Sequence, residues 1–211
     1  LTFGDSAREG IIRGNHFYHK PLDFTITFPE NWRIENSPDR VLAASTDGDG
    51  LIQMSITDLN KRITPKQFME QRMQLKNLRQ GSTFINGDLQ GYTAIADSNT
   101  TFGTRAVRYV VIYRDSSAYI FAGTTRNRHN ARRYDDDILA TAHSFRSLAA
   151  VDAPYANEKK IAVIPAPGGA SYASLAAKSP IASYPEVQLR LLNDAYPDGE
   201  PATSQLIKVV K

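Results

Sequence analysis

Residues 104–125 constrain the fold of this chain more than any other stretch. Thr104 to Arg114 (TRAVRYVVIYR) and Ser117 to Thr125 (SAYIFAGTT) are runs of β-branched and aromatic residues separated only by Asp115-Ser116. Such side chains favour a pleated, half-buried surface, and Asp-Ser between two such runs is turn chemistry. The pattern predicts a long antiparallel hairpin and excludes an all-helical fold. Side chains alternate across a strand, so Arg108 and Tyr109 must face opposite ways, and most polar positions of the hairpin are expected to point outward.

Further strands are expected on both sides in sequence. Asp23 to Phe28 alternates polar with apolar, placing Phe24, Ile26 and Phe28 on one face, and stops at Pro29-Glu30-Asn31. Val41 to Ser45, Leu51 to Thr57 and Leu89 to Asp97 are strands between turns such as Thr46-Asp47-Gly48-Asp49-Gly50. The Asp47 and Asp49 carboxylates are expected to serve the backbone of that turn. Thr64-Pro65-Lys66-Gln67 is a capping box with Pro at the first helical position. It predicts a helix carrying Phe68, Met69, Met73, Leu75 and Leu78 as an apolar stripe and ending at Gly81. A second helix is predicted from Asn130 to His143 with Tyr134, Ile138 and Leu139 inward, followed by a short strand at Ser144–Leu148. The expected class is α+β, an antiparallel sheet with packed helices.

Composition changes near Ala149. Residues 150–158 are small, polar and Pro-containing, and read as a linker between a domain at 14–149 and a smaller one at 159–211. The formal net charge of +3 lies wholly in residues 1–149. The smaller domain reads β-α-α-β. It has a strand at Lys160–Ile164, a helix capped by Ser171 with Leu175, Ala176 and Ala177, a helix at Pro185–Leu192 and a strand at Leu206–Val210. Val187, Leu191 and Leu192 are expected to face inward. A unit of about 53 residues has a thin core.

The chemistry excluded is broad. The 211 residues contain no cysteine, so disulfides, thiolate zinc sites and thiol nucleophiles are ruled out. No apolar run reaches the roughly 18 residues that span a bilayer, and the small net charge gives no argument for nucleic acid. Residue 1 is Leu, and Leu1–Gly10 has neither the basic nor the apolar region of a secretory signal, so a processed chain or a piece of a longer one is expected. H-E-x-x-H, G-x-S-x-G and G-x-x-x-x-G-K-[ST] are all absent. His16 and His19 would share a helical face but have no third ligand nearby and read as a surface pair. His143 reads as a partner of its helix C-terminus. The run Arg126 to Arg133, with His129 inside it, is either an anion-binding patch or a solvated turn neutralised by Asp135, Asp136 and Asp137. No catalytic residue, metal ligand or cofactor site is expected in these residues. An enzyme cleft near Arg105, Arg108 or Tyr109 is the disfavoured alternative.

Two stretches resemble known families. Leu22 to Trp32 (LDFTITFPENW), the helix after "ITPKQF", the long hairpin and a helix leading to Ser144-Phe145-Arg146 resemble PsbP-like domains. "SYASLAAKSP…LRLLN…SQLIKVV" resembles a divergent LysM unit, with Gly169-Ala170-Ser171 where such units carry Gly-Asp-Thr, and Ser204 where they carry Gly. In combination the chain resembles the C-terminal region of bacterial periplasmic zinc metallopeptidases related to BepA, whose H-E-x-x-H domain lies upstream. The resemblance implies a non-catalytic accessory region of an exported, periplasmic peptidase, with zinc held only in the upstream domain. That region would position the peptidase on cell wall, on envelope or outer-membrane proteins, or on its own catalytic domain. It also implies a peptidoglycan groove formed by Gly169, Ala170, Ser171 and Tyr172 with Asn193, Asp194 and Tyr196, the alternative being that these are plain turns. The rival reading is a stand-alone exported PsbP-like binding protein or lipoprotein with a wall-binding tail.

Overall fold

The computed structural model describes residues 1–6, 8–59 and 62–211. The strands in chain order are β1 (Thr2–Phe3), β2 (Ile11–Arg13), β3 (His16–His19), β4 (Phe24–Thr27), β5 (Arg33–Ser37), β6 (Arg40–Ala44) and β7 (Gly50–Asp58). After α1 (Pro65–Gln67) come β8 (Arg79–Asn86), β9 (Leu89–Thr100), β10 (Gly103–Arg114) and β11 (Ser117–Thr125). Then follow α2 (Ala131–His143), β12 (Arg146–Ser147), β13 (Lys159–Pro165), α3 (Tyr172–Ala176), α4 (Pro185–Leu192) and β14 (Leu206–Val210). The chain divides into two compact units, Arg8–Ala156 and Leu1–Ala7 with Asn157–Lys211.

The larger unit is α+β. Its main sheet has the order β5-β6-β7-β11-β10-β9-β8, and a smaller sheet has the order β12-β4-β3-β2; all pairings are antiparallel. The long hairpin is present, with Arg114 opposite Ser117 and Arg108 opposite Gly123. Phe24, Ile26 and Phe28 share one core with Ile52, Met54, Val110, Ile112, Phe121, Phe145 and Ile138. One face of the main sheet is thus sealed by the small sheet and α2. Gly123 lets α2 approach closely, since a Cβ there would stand 2.2 Å from Ile138 Cγ1.

Polar contacts fix the position of α2. Arg108, only 5% exposed, points at the helix and forms a bidentate pair with Asp135 (Nε–Oδ1 and Nη2–Oδ2 both 2.7 Å). Its Nη2 also donates to Gln80 Oε1 at 3.0 Å. Arg108 is an exception to the outward orientation expected of most polar hairpin residues, because Asp135 meets its charge. Asp47 serves its turn as expected, accepting the Asp49 N–H, and also accepts the Tyr134 hydroxyl. Asp49 instead reaches across to the Asn127 N–H (2.6 Å) and Asn130 Nδ2 (2.7 Å), docking the segment that leads into α2. Tyr134 and Ile138 are buried and Leu139 half-buried, as the helical period implies.

The first helix departs from its expected length. Thr64 makes the capping box with Gln67, but α1 passes into a single π turn at Phe68–Arg72 and stops. Gln74, Asn77 and Gln80 lie in the left-handed region (φ +55°, +54° and +49°), and Gly81 belongs to β8. Met73, Leu75 and Leu78 still pack with buried Phe68 and Met69, but from irregular chain. β3 carries His16 and His19, which on a strand cannot share a face; His19 stacks on Phe24 at 5.3 Å and is half-buried rather than a surface residue. Residues 150–158 are not free chain throughout. Asp152 is buried, pairs with Arg146 at 2.6 Å and accepts the Ala149 N–H, so the first part is anchored to the larger unit.

In the smaller unit the order β-α-α-β is joined by β1, giving a sheet β1-β13-β14 in which Thr2 lies opposite Lys160. Tyr172, Ile181, Leu189 and Val210 form its core. α4 presents a different face from the one expected. Leu189 and Arg190 point inward, while Val187 and Leu191 are 40% and 56% exposed and Leu192 only half-buried. Burial of Arg190 is tolerated because Glu186, Glu200 and the Gly199 carbonyl surround its guanidinium.

Two stability predictions follow from these contacts. Asp135→Ala leaves a buried guanidinium unpaired and should cost about 3 kcal/mol in urea unfolding. The double variant Arg108→Met/Asp135→Leu should recover most of that loss, and no recovery would show the pair to be net stabilising in itself. Burial depresses the pKa of His19, whose Nδ1 accepts the Leu22 N–H. Asp47 is lowered first by its bond from Ser45, and Asp152 first by its bond from Arg146. For Asp49 desolvation acts upward, but bonds from Asn130 and Asn127 outweigh it and leave the net direction downward. In each case the folded state binds protons less readily than the unfolded chain. The stability is therefore present above the unfolded pKa and lost as pH falls through the folded one. Stability should begin to fall below about pH 6.5 through His19 and again below about pH 4 through the carboxylates. In His19→Gln the first stage should vanish and the second remain, read as the urea midpoint against pH.

Candidate functional site

The second face of the main sheet carries the candidate site. Strand alternation turns Leu51, Gln53 and Ser55 of β7, Val107 and Tyr109 of β10, and Ile120, Ala122 and Thr124 of β11 away from the core occupied by Ile52, Met54, Val110 and Phe121. Phe68 and Met69 cover one end of this face, over Tyr92, Ala94, Val111 and Ala118. Because the π turn ends at Arg72 and the chain after it turns off toward β8, part of the face stays open. It forms a groove of about 700 Å³ with Met73 at its covered end, a size within the range of small-ligand and peptide sites.

Most of the floor is half-buried and mixed in character. Leu42, Leu51 and Ile120 are apolar, while Gln53, Ser55 and Tyr109 offer amide and hydroxyl groups. The Tyr109 hydroxyl donates to Ser98 Oγ at 2.9 Å, which holds the ring in place as one wall. Glu35 and Arg40 stand on the β5–β6 side, with Glu35 already paired to Arg33 at 2.9 Å. Asn99, Thr100 and Thr101 at the β9–β10 turn form the other side. Among the described residues lining the groove there is no histidine, and Glu35 is its one carboxylate. The arrangement offers shape, apolar contact and hydrogen bonding; it holds no nucleophile beside a general base.

A second cleft, about 450 Å³, lies between α2 and the sheet beside Arg108 and Asp135. Its central charges satisfy one another, so it reads as part of the α2 attachment. The disfavoured enzyme cleft would lie near Arg105, Arg108 or Tyr109; as alternation requires, Arg108 faces α2 and Tyr109 the groove. His143 packs edge-on against Phe84 at 4.7 Å. Among the described residues no three His, Asp or Glu side chains are grouped as metal ligands.

The expected glycan residues are scattered in role. Tyr172 is 1% exposed in the core of the smaller unit, its ring centroid 5.8 Å from the Arg190 guanidinium, so it has no face to offer a sugar. Ser171 caps α3 by accepting the Ser174 N–H, and Gly169 (φ +71°) turns the chain before it, with Ala170 donating to the Pro167 carbonyl. The Asn193 amide is consumed by the backbone of β14: Nδ2 donates to the Lys208 carbonyl (2.8 Å) and Oδ1 accepts the Lys208 N–H (2.7 Å). Asp194 (φ +56°) is exposed, and Tyr196 at 59% exposure is the one aromatic of the set open to solvent. The groove on the larger unit went unread in the sequence, although the alternation of Leu51, Gln53 and Ser55 is its signal.

No family model matches the chain, and no curated protein matches it. Among solved structures it is similar to the cyanobacterial PsbP protein CyanoP from Synechocystis sp. PCC 6803, at 12% identity and a TM-score of 0.47, over 70% of this chain and 98% of that one. It is also similar to the Ran-binding protein Mog1p of Saccharomyces cerevisiae (8% identity, TM-score 0.46, 66% of this chain and 98% of that). A third is LpqN of Mycobacterium tuberculosis, described as involved in cell envelope biogenesis (17% identity, TM-score 0.41, 60% and 83%).

Proposed function

We propose that this chain is a non-catalytic binding region of an exported zinc metallopeptidase and that its sheet groove holds an extended polypeptide. The observation that supports binding is the uncovered, half-buried groove floored by β7, β10 and β11. Its composition favours a polypeptide over an acyl chain. Gln53, Ser55, Asn99 and Tyr109 place polar groups among the leucines, and a peptide backbone needs such partners when it leaves water. A fatty chain would gain only from a dry apolar lining. The link to a peptidase rests on the resemblance of the whole chain to the region that follows an H-E-x-x-H domain. The smaller unit then acts as a spacer or wall contact, and a wall contact through it falls to Tyr196 and its neighbours.

The full chain should bind a permanently unfolded exported polypeptide, followed by fluorescence anisotropy. Ser55→Arg, which fills the groove from a half-buried position, should weaken that binding about tenfold or more. Leu191→Arg on the smaller unit should leave it unchanged. Equal binding by Ser55→Arg and the unaltered chain would remove the groove from the function. The intact mass of the protein from its own cells decides the second half: these residues should lie in one polypeptide with an upstream H-E-x-x-H peptide, and a mass near 23 kDa would leave a free-standing binding protein.

A further inference from the structure

We infer that the groove recognises the C-terminal end of its polypeptide, with Arg105 and Arg126 receiving the terminal carboxylate. The inference rests on the binding reading above and adds which part of the polypeptide is held and in which direction. Period-two alternation extends the groove floor beyond Val107 to Arg105 on β10. Arg126, the residue after β11, donates its N–H to the Asp49 carbonyl and accepts Arg105 Nε on its own carbonyl, which sets it beside Arg105. The Arg105 guanidinium therefore belongs to the face that carries Tyr109 and Ala122, with Arg126 beside it over the Phe102 ring.

Their own contacts leave the charges uncompensated. Arg105 Nε donates to the Arg126 carbonyl at 3.3 Å and Nη1 to the Thr104 carbonyl at 2.9 Å, both neutral acceptors. Arg126 lies over the Phe102 ring, 5.0 Å from its centroid. Neither forms an ion pair among the described residues. The nearest acid in the β9 register, Asp97, is already held by Arg79 through two bonds of 3.1 and 2.8 Å. A guanidinium that is positioned by backbone and aromatic contacts, yet lacks a carboxylate, is set to take one in a planar charge-assisted pair.

The remaining charges on this face argue for direction. At the β5–β6 side Glu35 is satisfied by Arg33, and Arg40 approaches Asp39 at 3.9 Å. Arg33 and Arg40 thus have an acid beside them, whereas Arg105 and Arg126 at the strand ends, where the floor stops, have none among the described residues. An internal acidic side chain would have to continue its chain past the Phe102–Arg126 stack. A terminal carboxylate needs no such continuation. The residues before it would lie over Val107, Tyr109, Ala122 and Ile120, with backbone groups near Gln53 and Ser55.

The test uses the full chain and a short fluorescein-labelled peptide of alternating valine and threonine with a soluble N-terminal leader. Three versions are titrated by anisotropy: the free acid, the C-terminal amide, and an amide whose last residue is glutamate. The free acid should bind about tenfold tighter than either amide, the size expected when one charge-assisted contact is lost. The difference should shrink as salt is raised. In Arg105→Gln/Arg126→Gln, checked for unchanged thermal unfolding, free acid and amide should bind alike. In Ser55→Arg both should be lost. Equal binding of free acid and amide, with Ser55→Arg still abolishing it, overturns carboxylate recognition and leaves the groove reading intact. An equally tight glutamate-ended amide overturns recognition of the C-terminal end and likewise leaves the groove reading intact. Binding of none of the peptides, or binding insensitive to Ser55→Arg, overturns both.

Discussion

A sheet of seven strands has two faces to cover, and this chain supplies cover for one and part of the other. Alternation along β7, β10 and β11 sends Ile52, Met54, Val110, Ile112 and Phe121 to one side, where the small sheet and α2 bury them. Among the described residues, the other side is covered at one end by α1, its π turn and the irregular chain carrying Met73, Leu75 and Leu78. The shortage is local. Left-handed backbone at Gln74 and Asn77 ends the helical course soon after Met73 and sends the chain into the edge strand β8. Leaving Leu42, Leu51 and Ile120 half-buried forgoes hydrophobic stabilisation of about 25 cal/mol for each Å² of apolar surface left wet. A binding groove recovers that free energy only when a ligand covers it.

The fixing of α2 matters to the groove although the helix lies on the other face. Ile138 rests against Gly123 of β11, and Arg108 of β10 holds Asp135, so the helix is tied to two of the three strands that floor the groove. Buried ion pairs contribute little net stability, since desolvation offsets most of the attraction. They do select one geometry, because any other placement of α2 strands a charge. Asp49, reaching to Asn127 and Asn130, holds the segment just after Arg126 in the same way. The end of the groove is therefore shaped by contacts made behind it.

Most of the fold was legible because it depends on local signals. The hairpin, the strand before Pro29, α2 and the caps at Thr64 and Ser171 follow from alternation, helical period and capping chemistry. What was missed depends on distant partners. The stripe Met73, Leu75 and Leu78 packs as expected but without a helix, since apolar residues serve irregular chain equally well against a sheet. Arg190 is buried because Glu200 comes back to it from a later loop, and no window around α4 contains that residue. Tyr172 beside a helix cap looks the same in sequence whether it meets solvent or a core. The groove is an absence of cover, and absence of cover leaves no local mark.

The edges of the sheets bear on why a partner would meet a face. An exposed edge strand pairs readily with another chain through its unpaired backbone groups. Here three of the edges are blunted by different devices. On β14 the Asn193 amide occupies both backbone groups of Lys208, standing in for the strand that would otherwise add there. On β8 the register with β9 is broken between Arg79 and Ser82, and such a bulge twists the edge away from regular pairing. On β5, Arg33 and Glu35 place charge along a short edge strand. With edge addition discouraged at each of these, the polypeptide proposed above would find its apolar contacts on the open face of the main sheet. Its recognition there would depend on side chains rather than on strand pairing.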